Sequence, residues 1–193
     1  MFEQLRQAVN AITPMSDDDW DIFEPLLQLK SIKKNDFFLK MDEVERYIGF
    51  VNKGSFRWYY INGKGEEVNY HFFFDNDFVV GFDSFITQKP SRLFIQAMED
   101  TELVLLPERS KILEFYSKSH TWEHFGRLIS EGVYAQTAAR VHDFLFNSAE
   151  ERYLSLLKQH PNIFQRVSLS NIASYLGVQG PSLSRIRKRI SKS

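Results

Sequence analysis

The chain has 193 residues, with 24 basic and 25 acidic side chains, 18 phenylalanines and no cysteine. This length fits one large domain or two small ones, and the absence of cysteine excludes disulfides, thiolate zinc sites, cysteine-ligated iron–sulfur clusters and a cysteine nucleophile. No apolar run approaches the roughly 20 residues that span a bilayer, and the N-terminus lacks the apolar core of a signal peptide, so we expect a soluble, cytoplasmic protein with no membrane partner.

The first part of the chain predicts a β domain that is preceded by two short helices. Residues 2–12 and 16–27 have helical patterns. Over residues 29–106, aromatic and β-branched residues are interrupted by turn signals at intervals of roughly 8–12 residues, which is typical of a sandwich or barrel. Within this region, residues 56–74 predict a hairpin whose turn has the sequence Asn-Gly-Lys-Gly.

The stretch from His120 to Asn147 contains no proline and predicts one long helix. Apolar and small residues recur along it at spacings of 3 and 4, as in a coiled-coil seam. The predicted seam consists of Phe125, Leu128, Gly132, Ala135 and Ala139, and continues through His142 and Phe146. Its small residues would let a second copy approach closely, so we predict a homodimer; the alternative is a helix buried inside a monomer. A second row, predicted to pack on the β domain, consists of Trp122, Ile129, Val133, Val141 and Leu145.

Residues 171–190 predict a helix-turn-helix. Ile172, Ala173 and Leu176 share one face of the first helix, and Gly177 can adopt the left-handed conformation that ends it. The second helix places Leu183, Ile186 and Ile190 on an apolar stripe. The predicted DNA-binding residues lie away from this stripe and are Ser182, Ser184, Arg185, Lys188 and Lys192.

Charge is distributed unevenly between the two parts of the chain. Residues 161–193 contain six basic and no acidic residues, which leaves 18 basic and all 25 acidic residues to positions 1–160. The net charges of the two parts are therefore +6 and −7. A local excess of positive charge favours contact with a phosphate backbone, so double-stranded DNA is the predicted partner.

This order of parts resembles the Crp/Fnr family of bacterial transcription regulators. The most specific match is Leu169-Ser-Asn-Ile-Ala-Ser-Tyr-Leu-Gly-Val178 together with Ser182-Leu-Ser-Arg-Ile-Arg-Lys188. In the β region, Gly54-Ser-Phe-Arg57 and Asn76-Asp-Phe78 are similar to the strand signatures of the family.

The resemblance implies an α+β fold with three parts. An antiparallel, jelly-roll-like β-roll of the cyclic-nucleotide-binding type would occupy residues 1–118 with its N-terminal helices. A dimerisation helix would span residues 119–147, and a helix-turn-helix domain would span residues 148–193. The resemblance also makes RNA polymerase and a small-molecule effector candidate partners.

The candidate ligand pocket departs from the pattern of family members that bind cyclic AMP. In those members a glutamate meets the ribose and an arginine meets the cyclic phosphate. Here Gly81 stands at the glutamate position and Ser91 at the arginine position, with Arg92 next in the chain. Neighbours in a strand point to opposite faces, so Arg92 would need a bulge to reach a pocket, and we expect a surface residue instead. We therefore expect no cyclic AMP binding and identify no cofactor.

The helix-turn-helix departs from the family at two points. Several members read bases with a glutamate at the position that is Pro181 here, so their target sequences cannot be transferred, although Ser184 and Arg185 match the family's Ser-Arg pair. Few residues follow the second helix, which predicts a missing or vestigial wing hairpin.

Other chemistry has weaker support in the sequence. His120 and His124 have a metal-binding spacing but no third ligand, and a metal-dependent cupin would need more histidines than the single His71 of the β region. His71, His142 and Met98 stay open as axial ligands of a haem sensor. We therefore predict neither a metal site nor an enzyme. The sequence predicts a DNA-binding regulator; the alternative is a ligand-binding module that acts through protein contacts and has a degenerate helix-turn-helix.

Overall fold

The computed structural model describes residues 2–190, in which helices precede and follow a region of short strands. The first helices are α1 (Glu3–Ile12) and α2 (Asp17–Phe23), followed by a 3-10 turn at Glu24–Leu26. The strands are β1 (Gln28–Ile32), β2 (Phe37–Leu39), β3 (Gly49–Lys53), β4 (Phe56–Ile61), β5 (Glu67–Phe73), β6 (Phe78–Val79), β7 (Phe94–Ala97) and β8 (Thr101–Leu105). The other helices are α3 (Phe82–Thr87), α4 (Arg109–Lys118), α5 (His120–Phe146), α6 (Ala149–Gln159), α7 (Ile163–Arg166), α8 (Leu169–Leu176) and α9 (Gly180–Ile190).

The described chain divides into two compact units. The first runs to Trp58 and resumes from Phe72 to Tyr134, and the second combines Tyr59–His71 with the residues from Ala135 onward. The family resemblance implies part boundaries at residues 118 and 147. The bounds of the two units differ from these, because α5 contributes to both units and the end of the β4–β5 hairpin belongs to the second.

The strands form two sheets, with the strand orders β1-β8-β3-β6 and β2-β7-β4-β5. In the first sheet β8 pairs antiparallel with β1, from Gln28 opposite Leu105 to Ile32 opposite Thr101, and also with β3. Strand β7 shows the alternation expected of a two-sided strand, since it buries Ile95 and Ala97 and leaves Phe94 and Gln96 half-buried. The α+β fold with an antiparallel β-roll is confirmed.

The first unit has two apolar clusters. One lies among the strands and includes Val51, Phe56 and Leu103, all fully buried. The other joins the N-terminal helices to the first half of α5. Its aromatic rings pack at centroid distances of 4.0 Å between Phe23 and Trp122 and 5.9 Å between Trp122 and Phe125. Burial of aromatic side chains of this size supplies much of the stability of a small domain.

Local hydrogen bonds define the element boundaries in the second unit. The hairpin turn between β4 and β5 closes where the N–H of Asn62 donates to the carbonyl of Glu66 at 3.0 Å, and Gly65 adopts a φ of 79°. Helix α6 begins with a capping box in which Ser148 and Glu151 bond each other's backbone N–H. Both features follow directly from local sequence, and the predicted hairpin is confirmed.

The long helix is confirmed almost to the residue, since α5 ends at Phe146 and the predicted end was Asn147. Helix α6 begins at Ala149, because the capping box recruits Ala149 and the two glutamates that follow into its first turn. Two short helices, α3 and α7, were missed. Both have fewer than two full turns, which is too short for a helical period to register in the sequence.

Candidate nucleic-acid interface and ligand pocket

Helices α8 and α9 form the predicted helix-turn-helix. Gly177 has a φ of 67°, the N–H of Val178 bonds the carbonyl of Ala173, and the N–H of Gly177 bonds that of Ser174, both at 3.0 Å. These are the two hydrogen bonds of a Schellman motif, which ends α8 sharply. The facing apolar side chains of the two helices are fully or almost fully buried, and they are Ile172, Leu176, Leu183 and Ile186.

The outer face of α9 carries the predicted DNA-binding residues. Ser184, Arg185 and Lys188 are exposed and Ser182 is half-buried, whereas Lys192 lies outside the described residues. The guanidinium of Arg185 contacts only its own helix, at 3.2 Å from the hydroxyl of Ser182 and 3.4 Å from the carbonyl of Pro181. Among residues 2–190 no carboxylate pairs with it, so its charge remains available to an external anion.

The other two arginines of α9 are engaged within the second unit. Arg187 lies over the ring of Phe164, with its guanidinium carbon 4.6 Å from the ring centroid. Arg189 donates to a carboxylate oxygen of Glu150 at 2.6 Å. The helix therefore uses two of its arginines for internal contacts and presents a third outward.

Two further arginines hold the C-terminal end of α8. Arg140 of α5 stacks on the ring of Tyr175 at 3.6 Å and donates to the Tyr175 carbonyl. Arg152 of α6 donates to the carbonyl of Leu176 at 2.9 Å. The last carbonyls of a helix carry partial negative charge, so these cations stabilise the end of α8 and fix it against the neighbouring helices. Neither arginine is predicted from the sequence, since nothing local distinguishes them from solvated arginines.

Most of the predicted dimer seam lies on the surface of this chain. Its exposed members are Gly132, Ala135, Ala139, His142 and Phe146, and Leu128 is half-buried. Phe125 is only 5% exposed, because it packs against Phe78 and Trp122 in the core of the first unit. The side chain of Phe125 is therefore not part of the exposed face.

The second row of α5 separates into two parts. Trp122 and Ile129 belong to the core of the first unit, as predicted. Val141 and Leu145 were predicted to pack on the β domain, but they are 50% and 68% exposed, because α5 passes into the second unit at this point. Together with Tyr134, which is 76% exposed, they widen the apolar surface of the helix beyond the predicted seam.

Gly81, the first residue of the candidate ligand pocket, immediately precedes α3. A Cβ atom added there would lie 2.5 Å from the Cδ2 atom of Leu39. The space that any side chain at this position would need is therefore filled by the protein itself. The N–H of Gly81 points to a carboxylate oxygen of Glu45 at 3.4 Å.

Ser91 and Arg92 behave differently from each other. Ser91 is 1% exposed, and its hydroxyl both donates to the carbonyl of Leu93 at 3.0 Å and accepts the Leu93 N–H at 3.1 Å. The hydroxyl of Ser91 is therefore already hydrogen-bonded within a local turn. Arg92 is exposed, and no hydrogen bond or ion pair to its guanidinium is found within residues 2–190.

Glu45 is a buried carboxylate beside Gly81 that the sequence analysis did not identify. It is 4% exposed and accepts the N–H groups of Arg46 at 3.1 Å and Tyr47 at 3.2 Å. Burial raises the pKa of Glu45 to about 7, because these hydrogen bonds and the charge of Lys30 only partly offset the loss of solvation. The carboxylate of Glu45 therefore lies next to Gly81, the position at which family members that bind cyclic AMP have a glutamate.

The histidines lie in different environments. Burial, followed by the charges of His160 and Arg140, lowers the pKa of His71 to about 4, so this side chain is neutral at physiological pH. His124 contacts a guanidinium nitrogen of Arg127 at 2.9 Å. Within residues 2–190 no three histidine or acidic side chains converge as a metal site would require.

Comparison with known proteins assigns the β region to a described domain. Residues 29–119 match the family model of the cyclic nucleotide-binding domain. No curated protein matches the chain in sequence. In the described part of the chain, no helix has both the length and the apolar character that a membrane crossing requires.

Three solved structures share the fold over most of the chain. FixK2 from Bradyrhizobium japonicum is 18% identical and has a TM-score of 0.73, with 86% of this chain and 85% of that chain covered. The regulator CLP from Xanthomonas campestris, described as responsive to c-di-GMP, is 15% identical with a TM-score of 0.67 and 92% of each chain covered. The Catabolite Activator Protein of Thermus thermophilus is 16% identical with a TM-score of 0.59, covering 96% of this chain and 87% of that chain.

Proposed function

We propose that this chain, which has a cyclic nucleotide-binding domain within the fold of the Crp/Fnr transcription regulators, binds duplex DNA as a homodimer and regulates transcription. As a DNA-binding regulator it would act in the cytoplasm. The observation that carries the proposal is the outer face of α9, where Arg185 and Ser184 are exposed beside a buried apolar stripe. An arginine in this position can reach a base edge in the major groove, where it bonds guanine in a bidentate manner.

The net charge of the region supports this proposal. Positions 161–193 carry six basic and no acidic residues, so the approach of α9 to a phosphate backbone meets no repulsion from its own segment. Lys188 is exposed on the same face as Arg185 and is suited to a phosphate contact. A recognition helix of this kind reads bases with a few side chains and takes its affinity from contacts to the backbone.

The proposed homodimer forms along the exposed face of α5. Gly132, Ala135 and Ala139 offer a strip of small residues for close approach, and Phe146, which is 77% exposed, extends the strip with a large apolar side chain. A two-fold axis along this helix would present two copies of α9 to adjacent major grooves, about 34 Å apart along the DNA.

We further propose that the β-roll does not bind cyclic AMP. Leu39 fills the space beside Gly81, and the hydroxyl of Ser91 is hydrogen-bonded to the backbone of Leu93. A cyclic nucleotide would therefore leave its ribose hydroxyl and its phosphate charge poorly matched, which costs affinity. The effector is then a different small molecule or there is none, and RNA polymerase is a candidate protein partner.

The test is selection of bound sequences from a random duplex pool, with and without cyclic AMP. We expect a short, two-fold symmetric sequence to be enriched, and we expect its affinity to fall as salt rises. Arg185→Ala is the variant that tests the interface, since it removes only an exposed side chain and should relax the preference at one base pair of each half-site. A folded protein that enriches no sequence and shows no salt-dependent binding would instead support a ligand-binding module with a degenerate helix-turn-helix.

A further inference from the structure

The hydroxyl of Ser174 joins the C-terminal half of α8 to strand β5 within the second unit. It donates to the carbonyl of Glu67 at 2.9 Å and accepts the backbone N–H of Asn69 at 3.0 Å. Residues two apart in a strand direct their backbone groups to the same side. Because β5 is the last strand in the order of its sheet, these groups lie on the edge beyond which no further described strand pairs.

One serine hydroxyl therefore takes the place of a neighbouring strand. Exposed edges carry unpaired N–H and carbonyl groups, and such groups are costly when they are buried without a partner. Asn69 is 1% exposed, so water does not replace the serine at its N–H. The side-chain amide of Asn69 adds a contact of 3.3 Å to the side-chain oxygen of Asn171 in the same helix. We call the contact of Ser174 with Glu67 and Asn69 the β5 latch.

The β5 latch is the third support of α8. The C-terminal carbonyls of this helix are already held by Arg140 and Arg152, from two other helices. Helix α9 packs on α8 through buried Leu183 and Ile186, so the orientation of α8 sets the direction of the outer face of α9. The contacts with β5 involve Ser174 and Asn171 and so extend from the C-terminal end of α8 toward its middle, whereas the arginines hold only the C-terminal end.

The structure assigns Ser174 as a positioning residue for DNA recognition: through the β5 latch it holds α8 in the orientation from which α9 reads DNA. This inference rests on the DNA binding proposed above. The latch does not obstruct that binding, because Ser184 and Arg185 are exposed while the latch is formed. Ser174 therefore acts through α8 and contributes no DNA contact of its own.

The test compares the affinity of three variants for the selected duplex. Ser174→Ala removes the hydroxyl, and the loss of one bridging group should weaken binding on the order of 3- to 10-fold. Ser174→Thr retains the hydroxyl and should restore most of the affinity. Ser155→Ala is the matched control, because Ser155 is a half-buried serine of α6 whose hydroxyl bonds Gln159 of its own helix at 3.0 Å. We expect its affinity to equal that of the wild type.

Two further readouts separate positioning from direct contact and from general instability. In Ser174→Ala, the salt dependence and the base preference should stay as in the wild type, since neither a phosphate nor a base contact is lost. In the wild type, duplex should slow hydrogen exchange at the Asn69 amide, because coupling between the latch and DNA binding is reciprocal. This second measurement needs no variant.

The possible failures have different signatures. A wild-type protein that binds no duplex would end the proposal of DNA binding itself. If the wild type binds duplex and folded Ser174→Ala binds it equally well, the positioning role alone is overturned. The same holds if duplex leaves the rate of hydrogen exchange at the Asn69 amide unchanged. A change in base preference in Ser174→Ala would also overturn it, since that result would place Ser174 at the DNA.

Discussion

The helix-turn-helix and the candidate ligand pocket differ in whether their polar side chains are exposed or are buried and hydrogen-bonded within the chain. On α9, Arg185 is exposed, and within the described residues it bonds only its own helix, which leaves its charge available to a partner. Beside α3, Glu45 and Ser91 are buried, and their polar atoms are satisfied by nearby backbone groups. A polar group that the protein has already satisfied offers little to a ligand, because binding would first have to break the internal hydrogen bonds.

This difference supports the proposal that the helix-turn-helix, and not the candidate ligand pocket, meets an external charge. The fold alone does not distinguish the two sites, since a β-roll of this type and a helix-turn-helix are both binding folds. The distinction lies in individual side chains and in whether their hydrogen bonds close within the chain.

The largest effect is expected where the second copy of the chain is removed. Replacing Ala135 and Ala139 together with glutamate would place like charges against each other across the proposed two-fold axis. Both positions are exposed in one chain, so the fold should survive. We expect a monomer by light scattering and a loss of specific DNA affinity on the order of 100-fold or more, because one half-site contributes far less than two.

A glutamate placed away from the seam provides the control for this experiment. Thr137 is an exposed residue of the same helix, and a turn of roughly 100° per residue places it on the side opposite Ala135 and Ala139. We expect Thr137→Glu to remain a dimer with nearly normal affinity. Should the double glutamate variant stay dimeric as well, the seam lies on another face.

The buried carboxylate predicts a pH dependence of stability. Burial raises the pKa of Glu45 from an ordinary value near 4.5 to about 7 in the folded protein, so folding favours its protonated form. This contribution is present below pH 4.5 and is lost as the pH rises through 7. Between pH 5 and 8.5 the wild type should therefore lose about 2–3 kcal/mol of stability relative to Glu45→Gln, which does not titrate.

Melting temperatures of the two proteins across this pH range provide the measurement. The melting temperature of Glu45→Gln should rise relative to that of the wild type as the pH increases, whichever of the two proteins melts higher at pH 5. Parallel pH profiles would show that Glu45 is solvated in the folded protein, and the contrast with the helix-turn-helix would then weaken.

Arg185→Ala should weaken specific binding by about 1–3 kcal/mol and relax the preference at one base pair of each half-site. The physical reason is the loss of the bidentate contact to a base that is proposed for Arg185. The measurement is the affinity of the wild type and of Arg185→Ala for four duplexes that carry each of the four base pairs at that position. Unchanged discrimination in a folded variant would remove Arg185 from base recognition.

Lys188→Ala provides the matched comparison on the same exposed face. A phosphate contact carries no sequence information, so this variant should weaken all duplexes similarly and reduce the slope of affinity against salt by about one ion. A loss confined to one base would contradict the role of Lys188 as a phosphate contact.

The smallest effect is expected from cyclic nucleotides. Cyclic AMP and cyclic GMP at micromolar concentration should produce no heat of binding and no shift in melting temperature, since a bound ligand would stabilise the fold by RT ln(1 + [L]/Kd). A shift that Arg92→Ala abolishes would show that Arg92 turns inward and supplies the missing guanidinium. The comparison between the two sites would then be wrong.

The sequence by itself determined the features that depend on local order. The helical period located α5 and the stripe of Leu183 and Ile186, and the turn chemistry of Gly177 located the end of α8. The resemblance to the Crp/Fnr regulators rested partly on these segments; the β region matches the cyclic nucleotide-binding domain, and the chain shares its fold with FixK2 and the Catabolite Activator Protein. Such features need only neighbours within about one helical turn or one tight turn, so a single sequence contains them.

Tertiary structure alone decided the contacts between distant segments. Glu45 meets Gly81 across 36 positions, and Ser174 meets the edge of β5 across more than 100. The burial of Phe125 follows from its contact with Phe78, although its spacing also fits the seam. A sequence pattern gives the face on which a side chain lies but not what covers that face, and burial is what decides whether a charge titrates, binds or supports the fold.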